Sequence, residues 1–253
     1  MRTAIITGAS SGFGAELVTA AADKFTDIEC FWLISRDAEA LNTIGAKISD
    51  RKKVEVIPAD LTLNKSYEKI LRKLKEDKPE VALLINAAGL GFLGNIADSH
   101  WEKQVRIVDV NVRGLTAMTT ITLPFMKPGS RIMNISSIAS FCPNPRLTVY
   151  SASKAYVSFL GEGLNDELRR SGIRVTTVCP GPMDTAFIPK ANIKDNSKTF
   201  EKLPFCDVRK TAKGAVNAAY KGRKTYTPTA FYKFYRVVAK ILPQGLLTMW
   251  ART

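Results

Sequence analysis

Apolar residues occur along this chain in short continuous runs, separated by longer segments whose apolar positions follow a helical period. Continuous apolar runs of this kind are typical of strands that are buried on both faces of a parallel sheet. Their alternation with helices predicts an α/β fold, with one doubly wound parallel sheet of about seven strands and helices on both faces. The predicted strands cover 3–7, 28–34, 54–57, 81–85, 131–135, 174–179 and 224–227.

The segments between these runs predict the helices, and the longest of them covers 101–126 as one helix. Asn111 lies inside it, where asparagine is mildly unfavourable. We therefore expect Asn111 either to cap a local irregularity or to take part in chemistry. We expect a single domain over 1–253, with a polar substrate loop at 187–204 and an amphipathic C-terminal extension at 229–253. The other predicted helices cover 15–22, 38–48, 66–75, 150–170 and 208–220.

The composition indicates a globular protein with a strong basic excess. The chain has 253 residues and a formal net charge of +14. Such an excess favours anionic ligands, an anionic membrane surface or nucleic acid as partners. The basic residues are scattered and form no nucleic-acid-binding signature, so we expect no nucleic-acid partner.

The four cysteines show no spacing that is typical of a metal site. This pattern predicts reduced thiols in a cytosolic protein and no bound metal. A strand-like run begins directly after Arg2, which leaves no room for a signal peptide. No uncharged apolar run approaches the roughly 18 residues that a membrane-spanning helix needs. We therefore expect a cytoplasmic protein that contacts membranes, if at all, at their surface.

A glycine-rich turn, Gly8-Ala-Ser-Ser-Gly12-Phe-Gly14, lies between the first predicted strand and the first predicted helix. Glycine lets the backbone approach a pyrophosphate closely, and the N-terminus of a helix offers unpaired N–H groups to it. The spacing differs from the Gly-x-Gly-x-x-Gly pattern of the commonest dinucleotide-binding turn. Its place between a strand and a helix nevertheless predicts a phosphate-binding turn.

The end of the second predicted strand indicates which cofactor is bound. An acidic residue at this position would bind the ribose 2′-hydroxyl of NAD. The chain instead has Ser35 followed by Arg36, and arginine can bind a phosphate through two hydrogen bonds. We therefore favour NADP (NADPH) over NAD. The alternative is that Arg36 is only a surface residue and that Asp37 supplies the acidic group.

Tyr150 and Lys154 are four residues apart near the start of a predicted helix, so their side chains share one face. An ammonium beside a phenol lowers the tyrosine pKa from its usual value of about 10. Such a tyrosine can exchange a proton with a carbonyl or alcohol oxygen near neutral pH. Ser137, at the end of a predicted strand, could hydrogen-bond the same oxygen.

Together these motifs resemble the short-chain dehydrogenase/reductase family over nearly the whole chain, and Ser35-Arg36 resembles its NADP-preferring branch. In the Asn86-Ala-Ala-Gly89 motif, Ala87 replaces an asparagine that is more common in the family. The resemblance implies a Rossmann-type fold and an oxidoreductase. The residues expected at the cofactor, from the motifs and the resemblance, are Gly8, Ser10, Ser11, Gly12, Phe13, Gly14, Ser35, Arg36, Asp60, Leu61, Asn86, Ala87, Gly89, Tyr150, Lys154, Pro180, Gly181 and Thr185.

The resemblance also implies the catalytic residues Asn111, Ser137, Tyr150 and Lys154. In this scheme Tyr150 is the general acid in reduction and the base in oxidation. Lys154 lowers the pKa of Tyr150 and holds the nicotinamide ribose. Ser137 positions the substrate oxygen, and Asn111 holds a water that passes protons onward from Lys154. The resemblance further implies homodimers or homotetramers joined through the long helices.

The first functional hypothesis is an NADPH-dependent reductase that interconverts a ketone and a secondary alcohol. Its substrate would be apolar, such as a steroid (as in a hydroxysteroid dehydrogenase), a bile acid or another hydrophobic carbonyl compound. A β-ketoacyl-thioester reductase is the alternative enzyme. A non-catalytic NADP-binding sensor is the alternative from another class, and the presence of Ser137, Tyr150 and Lys154 together argues against it.

The C-terminal extension contains apolar residues at helical spacing, which allow three interpretations. The stripe could pack on its own domain or on a partner subunit. It could form a wall of an apolar substrate pocket, or it could lie on an anionic membrane as an interfacial helix. The apolar residues are Phe231, Phe234, Tyr235, Val238, Ile241 and Leu242, and the basic residues on the other side are Lys233, Arg236 and Lys240.

Overall fold

The computed structural model describes residues 1–193 and 203–251, except for the side chain of Trp250. The strands in these residues all pair in parallel and form one sheet. The strands are β1 (Arg2–Thr7), β2 (Cys30–Ser35), β3 (Lys53–Pro58), β4 (Glu80–Asn86), β5 (Arg131–Ile135), β6 (Arg174–Val178) and β7 (Thr225–Tyr226). Their order in the sheet is β3-β2-β1-β4-β5-β6-β7.

Helices connect successive strands, as parallel pairing requires. Three 3₁₀ turns, at Ile96–Asp98, Leu123–Phe125 and Ile138–Ser140, complete the connections in the described residues. The α-helices are α1 (Gly12–Lys24), α2 (Ala38–Ala46), α3 (Asn64–Asp77), α4 (Trp101–Val108), α5 (Leu115–Thr122), α6 (Thr148–Glu167), α7 (Phe187–Lys190), α8 (Val208–Tyr220), α9 (Ala230–Ile241) and α10 (Gln244–Trp250).

Two apolar layers enclose the sheet, because successive strand residues point to opposite faces. On β1, Ile6 packs into the layer formed with α1, α2 and α8. Its neighbour Ile5 packs into the layer formed with α3 and α5. On β2, Leu33 and Trp32 divide between the two layers in the same way. The predicted doubly wound parallel sheet of about seven strands is therefore confirmed.

The order of the strands indicates where along the sheet a ligand would bind. The chain runs outward from β1 through β2 to β3, then crosses back to β4 on the other side of β1. The loops after β1 and β4 therefore lead away from each other and leave a crevice between them. Open sheets of this order bind their ligands in such a crevice, at the carboxyl ends of the strands. The glycine-rich turn follows β1 directly and lies at this point.

The prediction of one continuous α-helix over 101–126 is wrong. The helical segment is interrupted by a π-helical turn at Asp109–Gly114, which separates α4 from α5. Such turns insert an extra residue into the helix and occur often at functional sites. Asn111 lies in this turn and is 1% exposed. We expected Asn111 either to cap a local irregularity or to take part in chemistry, and the backbone shows a local irregularity at this residue.

The two segments that we expected to shape the substrate pocket are partly helical where the structure describes them. The predicted loop at 187–204 begins with the short helix α7, and its residues 194–202 lie outside the described part. The amphipathic extension forms α9 and α10, which Pro243 separates. Within residues 1–193 and 203–251, no helix has both the length and the apolar composition needed to cross a bilayer. That residues 1–253 form a single domain stays a prediction.

Candidate active site

A cleft of about 850 Å³ runs along the carboxyl edge of the sheet. This volume lies in the range of pockets that bind small molecules and cofactors. Of the predicted site residues, only Asn86 and Asn111 do not line it. Those that do are Gly8, Ser10, Ser11, Gly12, Phe13, Gly14, Ser35, Arg36, Asp60, Leu61, Ala87, Gly89, Ser137, Tyr150, Lys154, Pro180, Gly181 and Thr185.

The glycine-rich turn has a backbone that other residues would adopt only with strain. Gly8 and Gly12 have φ values of +67° and +54°, a region that L side chains rarely occupy. A side chain on Gly14 would overlap the Gly8 carbonyl oxygen. The three glycines therefore let the turn fold tightly, with the N-terminus of α1 directed at the cleft.

In the turn after β2, Arg36 and Asp37 make different contacts. The Asp37 carboxylate accepts a hydrogen bond from Ala40 N at 3.0 Å and so caps the N-terminus of α2. The Ser35 hydroxyl accepts a hydrogen bond from Asp37 N at 3.2 Å. Arg36, between them, is exposed and lines the cleft. Asp37 also lines the cleft, but one oxygen of its carboxylate is engaged as the helix cap, which leaves Arg36 as the residue here whose charged group has no such local role.

Asp60, after β3, is held by hydrogen bonds and positive charge. Its Oδ1 accepts hydrogen bonds from Thr62 N and Thr62 Oγ1, at 2.9 and 2.8 Å. Burial alone would raise the Asp60 pKa, but these bonds and the charges of Arg36 and Arg106 outweigh it and lower the pKa. Arg106, on α4, lies 3.5 Å from Asp60 Oδ2 and also lines the cleft. No local pattern in the sequence points to Arg106, because its partner is distant along the chain.

The Asn86 side chain does not face the cleft, and its predicted contact with the cofactor stays a prediction. It donates to Asn134 Oδ1 at 2.9 Å and to Thr119 Oγ1 at 3.1 Å. These bonds connect β4 to β5 and α5 in the interior. The backbone that follows is held differently, because Ala87 N and Ala88 N both donate to Thr7 Oγ1 at 3.2 Å. Asn86 therefore supports the cleft floor from behind.

Asn111 holds the loop after β4 in place. Its Oδ1 accepts from Leu90 N, and its Nδ2 donates to Leu90 O, both at 2.8 Å. Nδ2 also donates to Ser153 Oγ on α6 at 2.9 Å. The side chain thus joins the π-helical turn to two neighbouring elements. Its predicted role in holding a water stays a prediction, and its side chain acts in the structure as a positioning group.

Ser137, Tyr150 and Lys154 converge in the cleft from two elements. Ser137 caps the 3₁₀ turn after β5, and Tyr150 and Lys154 lie on successive turns of α6. The Ser137 hydroxyl is close enough to the Tyr150 phenol to lower its pKa. Lys154 Nζ donates to Ile135 O at 2.8 Å and lies 5.8 Å from the centre of the Tyr150 ring. The predicted arrangement of the three groups in one site is present.

The predicted lowering of the Tyr150 pKa differs from what this geometry gives. Burial raises the Tyr150 pKa to about 12, and the Ser137 hydroxyl opposes that rise. The Lys154 ammonium, which donates to the Ile135 carbonyl oxygen and lies 5.8 Å from the centre of the Tyr150 ring, does not offset this rise. Burial instead lowers the pKa of Lys154 to about 8.

Beyond Tyr150 the cleft becomes apolar. The Tyr150 and Phe187 rings lie 5.7 Å apart, and both pack on a small buried cluster that includes Leu93 and Leu147. The cluster and α7 close the end of the cleft that holds Ser137, Tyr150 and Lys154. These three polar groups therefore have apolar side chains beside them.

The C-terminal extension forms another wall of the cleft. Tyr235 on α9 and Leu247 on α10 line it, and Tyr235 hydrogen-bonds Cys142 Sγ across a distance of 2.8 Å. Tyr232 is fully buried, donates to Pro204 O at 2.7 Å and packs so closely on Gly181 that a side chain there would overlap its ring. The pocket-wall interpretation of the extension is therefore the one that these contacts favour.

A seven-stranded sheet of this order, with a glycine-rich turn at its switch point, defines a Rossmann-type dinucleotide-binding protein. The model of the short chain dehydrogenase family matches residues 2–196. The chain belongs to this family, and it is an oxidoreductase of the short-chain dehydrogenase class.

Relatives support this assignment. An uncharacterised oxidoreductase of Staphylococcus saprophyticus is 34% identical over 188 residues, which cover 73% of this chain and 79% of that protein. A short-chain dehydrogenase from Sphingobium yanoikuyae in complex with NADPH is 27% identical, with a TM-score of 0.81 over 98% of this chain and 95% of that one. A bulky-bulky ketone specific alcohol dehydrogenase from Comamonas testosteroni is 27% identical, with a TM-score of 0.76 over 98% and 94% of the two chains.

Proposed function

We propose that the chain is an NADP(H)-dependent oxidoreductase that interconverts a ketone and a secondary alcohol on an apolar substrate, with Tyr150 as general acid and base. The observation that carries the proposal is the convergence of Ser137, Tyr150 and Lys154 at the apolar end of a cleft whose other end is a glycine-rich turn. The similar Comamonas testosteroni enzyme is a ketone-specific alcohol dehydrogenase, which supports a ketone as the substrate class.

The residues present fit a dinucleotide. Gly8 and Gly14 let the turn pack closely against the backbone of Ala88 and against itself, and the N-terminus of α1, which follows in the turn, favours negative charge such as that of a pyrophosphate. Asp60 and Arg36 lie where the adenosine end would bind, and the backbone of Gly89 and the side chain of Lys154 face the nicotinamide end. When bound, NADP(H) supplies or accepts the hydride. The NADPH complex of the Sphingobium yanoikuyae relative supports this choice of cofactor.

Three residues of the chain handle the substrate oxygen and its proton in the proposed reaction. Ser137 hydrogen-bonds the carbonyl oxygen and stabilises the charge that develops on it. Tyr150 donates its phenolic proton to that oxygen, which yields the alcohol, and it takes the proton back in the reverse direction. Lys154 places a positive charge beside the phenol at pH values below its own pKa of about 8, and this charge stabilises the phenolate that forms.

The walls around Tyr150 favour an apolar substrate. Phe187, Leu147 and Leu247 line the cleft near the catalytic groups. A charged or strongly hydrated substrate would lose its water there without replacement by protein hydrogen bonds. A panel of ketones tests the proposal: NADPH oxidation should be fastest with bulky apolar ketones. Preference for a β-ketoacyl thioester would establish the alternative reductase, and NADPH binding without turnover of any ketone would establish the sensor.

Replacing Arg36 with alanine should weaken NADPH binding by about 10- to 100-fold, because charge-assisted hydrogen bonds contribute about 1.5–3 kcal/mol each. NADH lacks the 2′-phosphate, so its KM should change by less than about threefold on the same scale. Steady-state kinetics with both cofactors measures this difference. Arg72→Ala, an exposed arginine on α3, is the matched control. Equal changes for NADPH and NADH would show that Arg36 does not select the 2′-phosphate.

A homodimer is the assembly that the exposed apolar residues of α4 and α6 favour. Phe159 is 82% exposed on α6, and Trp101 and Val105 are exposed on α4, which packs against it. Phe159→Asp should convert the dimer to a monomer, because an unpaired carboxylate at an interface costs several kcal/mol. Size-exclusion chromatography with light scattering measures the mass. Leu63→Asp, at an exposed apolar residue before α3, should leave the mass unchanged. An unchanged mass for Phe159→Asp would place the interface elsewhere.

A cytoplasmic location of the protein stays a prediction.

A further inference from the structure

Positive charge is concentrated in the C-terminal part of the chain. Residues 208–253 contain ten lysine and arginine residues and no aspartate or glutamate. They therefore account for most of the formal net charge of +14. The proposed reaction does not use these charges, because the cofactor contacts proposed above lie earlier in the chain. A charge block of this kind favours an anionic partner.

The helices α9 and α10 in this region expose several large apolar side chains. On α9 the exposed positions are three or four residues apart, so they share one face of the helix. Phe234 is 69% exposed and Ile241 is 75% exposed. We call this set the C-terminal apolar face. Its members are Phe231, Phe234, Val237, Ile241, Leu246 and Met249.

Lysines border the apolar face instead of lying opposite to it. On a helical wheel Lys233 and Lys240 fall next to Val237, and both are exposed. The inner side of α9 is occupied by the buried Tyr232 and by Tyr235 at the cleft. On α9 the exposed Phe234, Val237 and Ile241 and the two lysines therefore share the side of the helix that faces away from the cleft.

We propose that the C-terminal apolar face binds the surface of an anionic lipid bilayer. An interfacial helix buries its apolar side chains at the boundary of headgroups and acyl chains, while lysines at the rim reach the lipid phosphates. The face and its bordering lysines meet both requirements. Residues 208–253 themselves contain no acidic side chain that would oppose the approach to anionic lipid.

A second copy of the chain is a poorer occupant of this face. In a twofold dimer the same surface meets itself. Lys233 and Lys240 of one copy would then face the corresponding basic surface of the other, with no carboxylate in α9 or α10 to pair with them. Like charges placed against each other in this way oppose association. A bilayer with anionic headgroups supplies the missing negative charge.

Docking in this orientation would place the cleft beside the lipid. Leu247 and Tyr235 line the cleft from the same two helices that carry the apolar face. An apolar ketone dissolved in the bilayer could then enter without crossing water. This step rests on the proposed apolar substrate, whereas bilayer binding itself does not, and the two are tested separately.

The full-length protein should float with vesicles that contain phosphatidylserine in phosphatidylcholine, and much less with phosphatidylcholine alone. Phe234→Ser combined with Ile241→Ser should raise the lipid concentration for half-binding roughly tenfold, because apolar burial drives insertion. Lys233→Glu combined with Lys240→Glu should raise it at least as much, since each cationic residue contributes roughly fivefold near an anionic surface. Added salt should weaken binding of the wild-type protein.

Matched control variants distinguish binding through the C-terminal apolar face from binding through any exposed apolar or basic residues. Leu63→Ser combined with Ile96→Ser removes two other exposed apolar side chains, and Lys65→Glu combined with Lys75→Glu reverses two exposed charges on α3. Both controls should bind vesicles as the wild-type protein does. Turnover of a water-soluble ketone should be equal in all of these variants, so a failure of the proposed reaction is distinguished from a failure of docking.

Three results would overturn the proposal. The wild-type protein could fail to float with anionic vesicles, or the controls could lose binding as much as the variants of the face. The Phe234→Ser and Ile241→Ser variant could instead lower the oligomeric mass in light scattering without any vesicle binding by the wild-type protein. That last result would assign the face to contact between copies of the chain.

Discussion

Tyr150→Phe should lower kcat for ketone reduction by roughly 10²–10⁴-fold, the contribution typical of a positioned general acid. The substitution removes only the hydroxyl, and the ring keeps its contact with Phe187. Folding and the glycine-rich turn should be unaffected. NADPH binding, measured by fluorescence titration without ketone, should change by less than about tenfold, since one neutral hydrogen bond contributes about 0.5–1.5 kcal/mol.

Tyr156→Phe is the matched control for this experiment. Tyr156 lies on the same helix, but its hydroxyl is hydrogen-bonded to Thr116 Oγ1 at 2.8 Å on the surface. Its loss should leave kcat within about threefold of the wild-type value, because exposed hydrogen bonds contribute little. A Tyr150→Phe protein that keeps most of its turnover would refute Tyr150 as the general acid.

The sheet could be predicted from the sequence because its strands are buried on both faces. Runs such as Val81–Ala–Leu–Leu–Ile85 are apolar throughout, and the structure buries every residue of that run. Their order in the sheet then follows from right-handed crossovers and from the position of the glycine-rich turn. The π-helical turn around Asn111 could not be predicted, because it depends on hydrogen bonds to Leu90 and Ser153, which lie far from it in the chain.

The site could be predicted where residues follow directly after strands. Gly8, Ser137 and Gly181 line the cleft because the carboxyl ends of neighbouring parallel strands meet at one edge of the sheet. Asn86 is an exception, because it is still within β4 and its side chain turns into the interior. Residues brought to the cleft by tertiary packing alone, such as Arg106 and Tyr232, carry no local signal.

The protonation of the site depends on burial in a way that the sequence does not reveal. Spacing alone suggested that Lys154 lowers the Tyr150 pKa. In the structure burial disfavours the charged form of both groups, so the Tyr150 pKa rises to about 12 and the Lys154 pKa falls to about 8. Below pH 8 the pair therefore consists of a neutral phenol and a charged ammonium, which are the forms that the proposed ketone reduction requires.

Lys154→Met should lower kcat/KM for reduction by roughly 10²-fold or more, because it removes the charge that stabilises the phenolate. In the wild-type protein kcat/KM for NADPH should fall as pH rises above about 8, since Lys154 loses its proton there while Tyr150 keeps its own up to about 12. Lys154→Met should lack this decline. Lys154→Arg should retain more activity and move the decline to higher pH, because arginine stays charged.

The pH dependence of the free energy of unfolding provides a second measurement of the Lys154 pKa. The folded-state pKa of Lys154, about 8, lies below its ordinary value of 10.5, so between these values the unfolded chain binds more protons than the folded one. The free energy of unfolding of the wild-type protein should therefore gain from Lys154 as pH rises through this window, by up to about 1.4 kcal/mol per pH unit. The difference in the free energy of unfolding between Lys154→Met and the wild-type protein isolates the contribution of Lys154, because all other groups titrate in both proteins. A difference that stays constant from pH 7 to about 10 would show that burial does not depress the Lys154 pKa, and the high-pH decline in kcat/KM would then need another group.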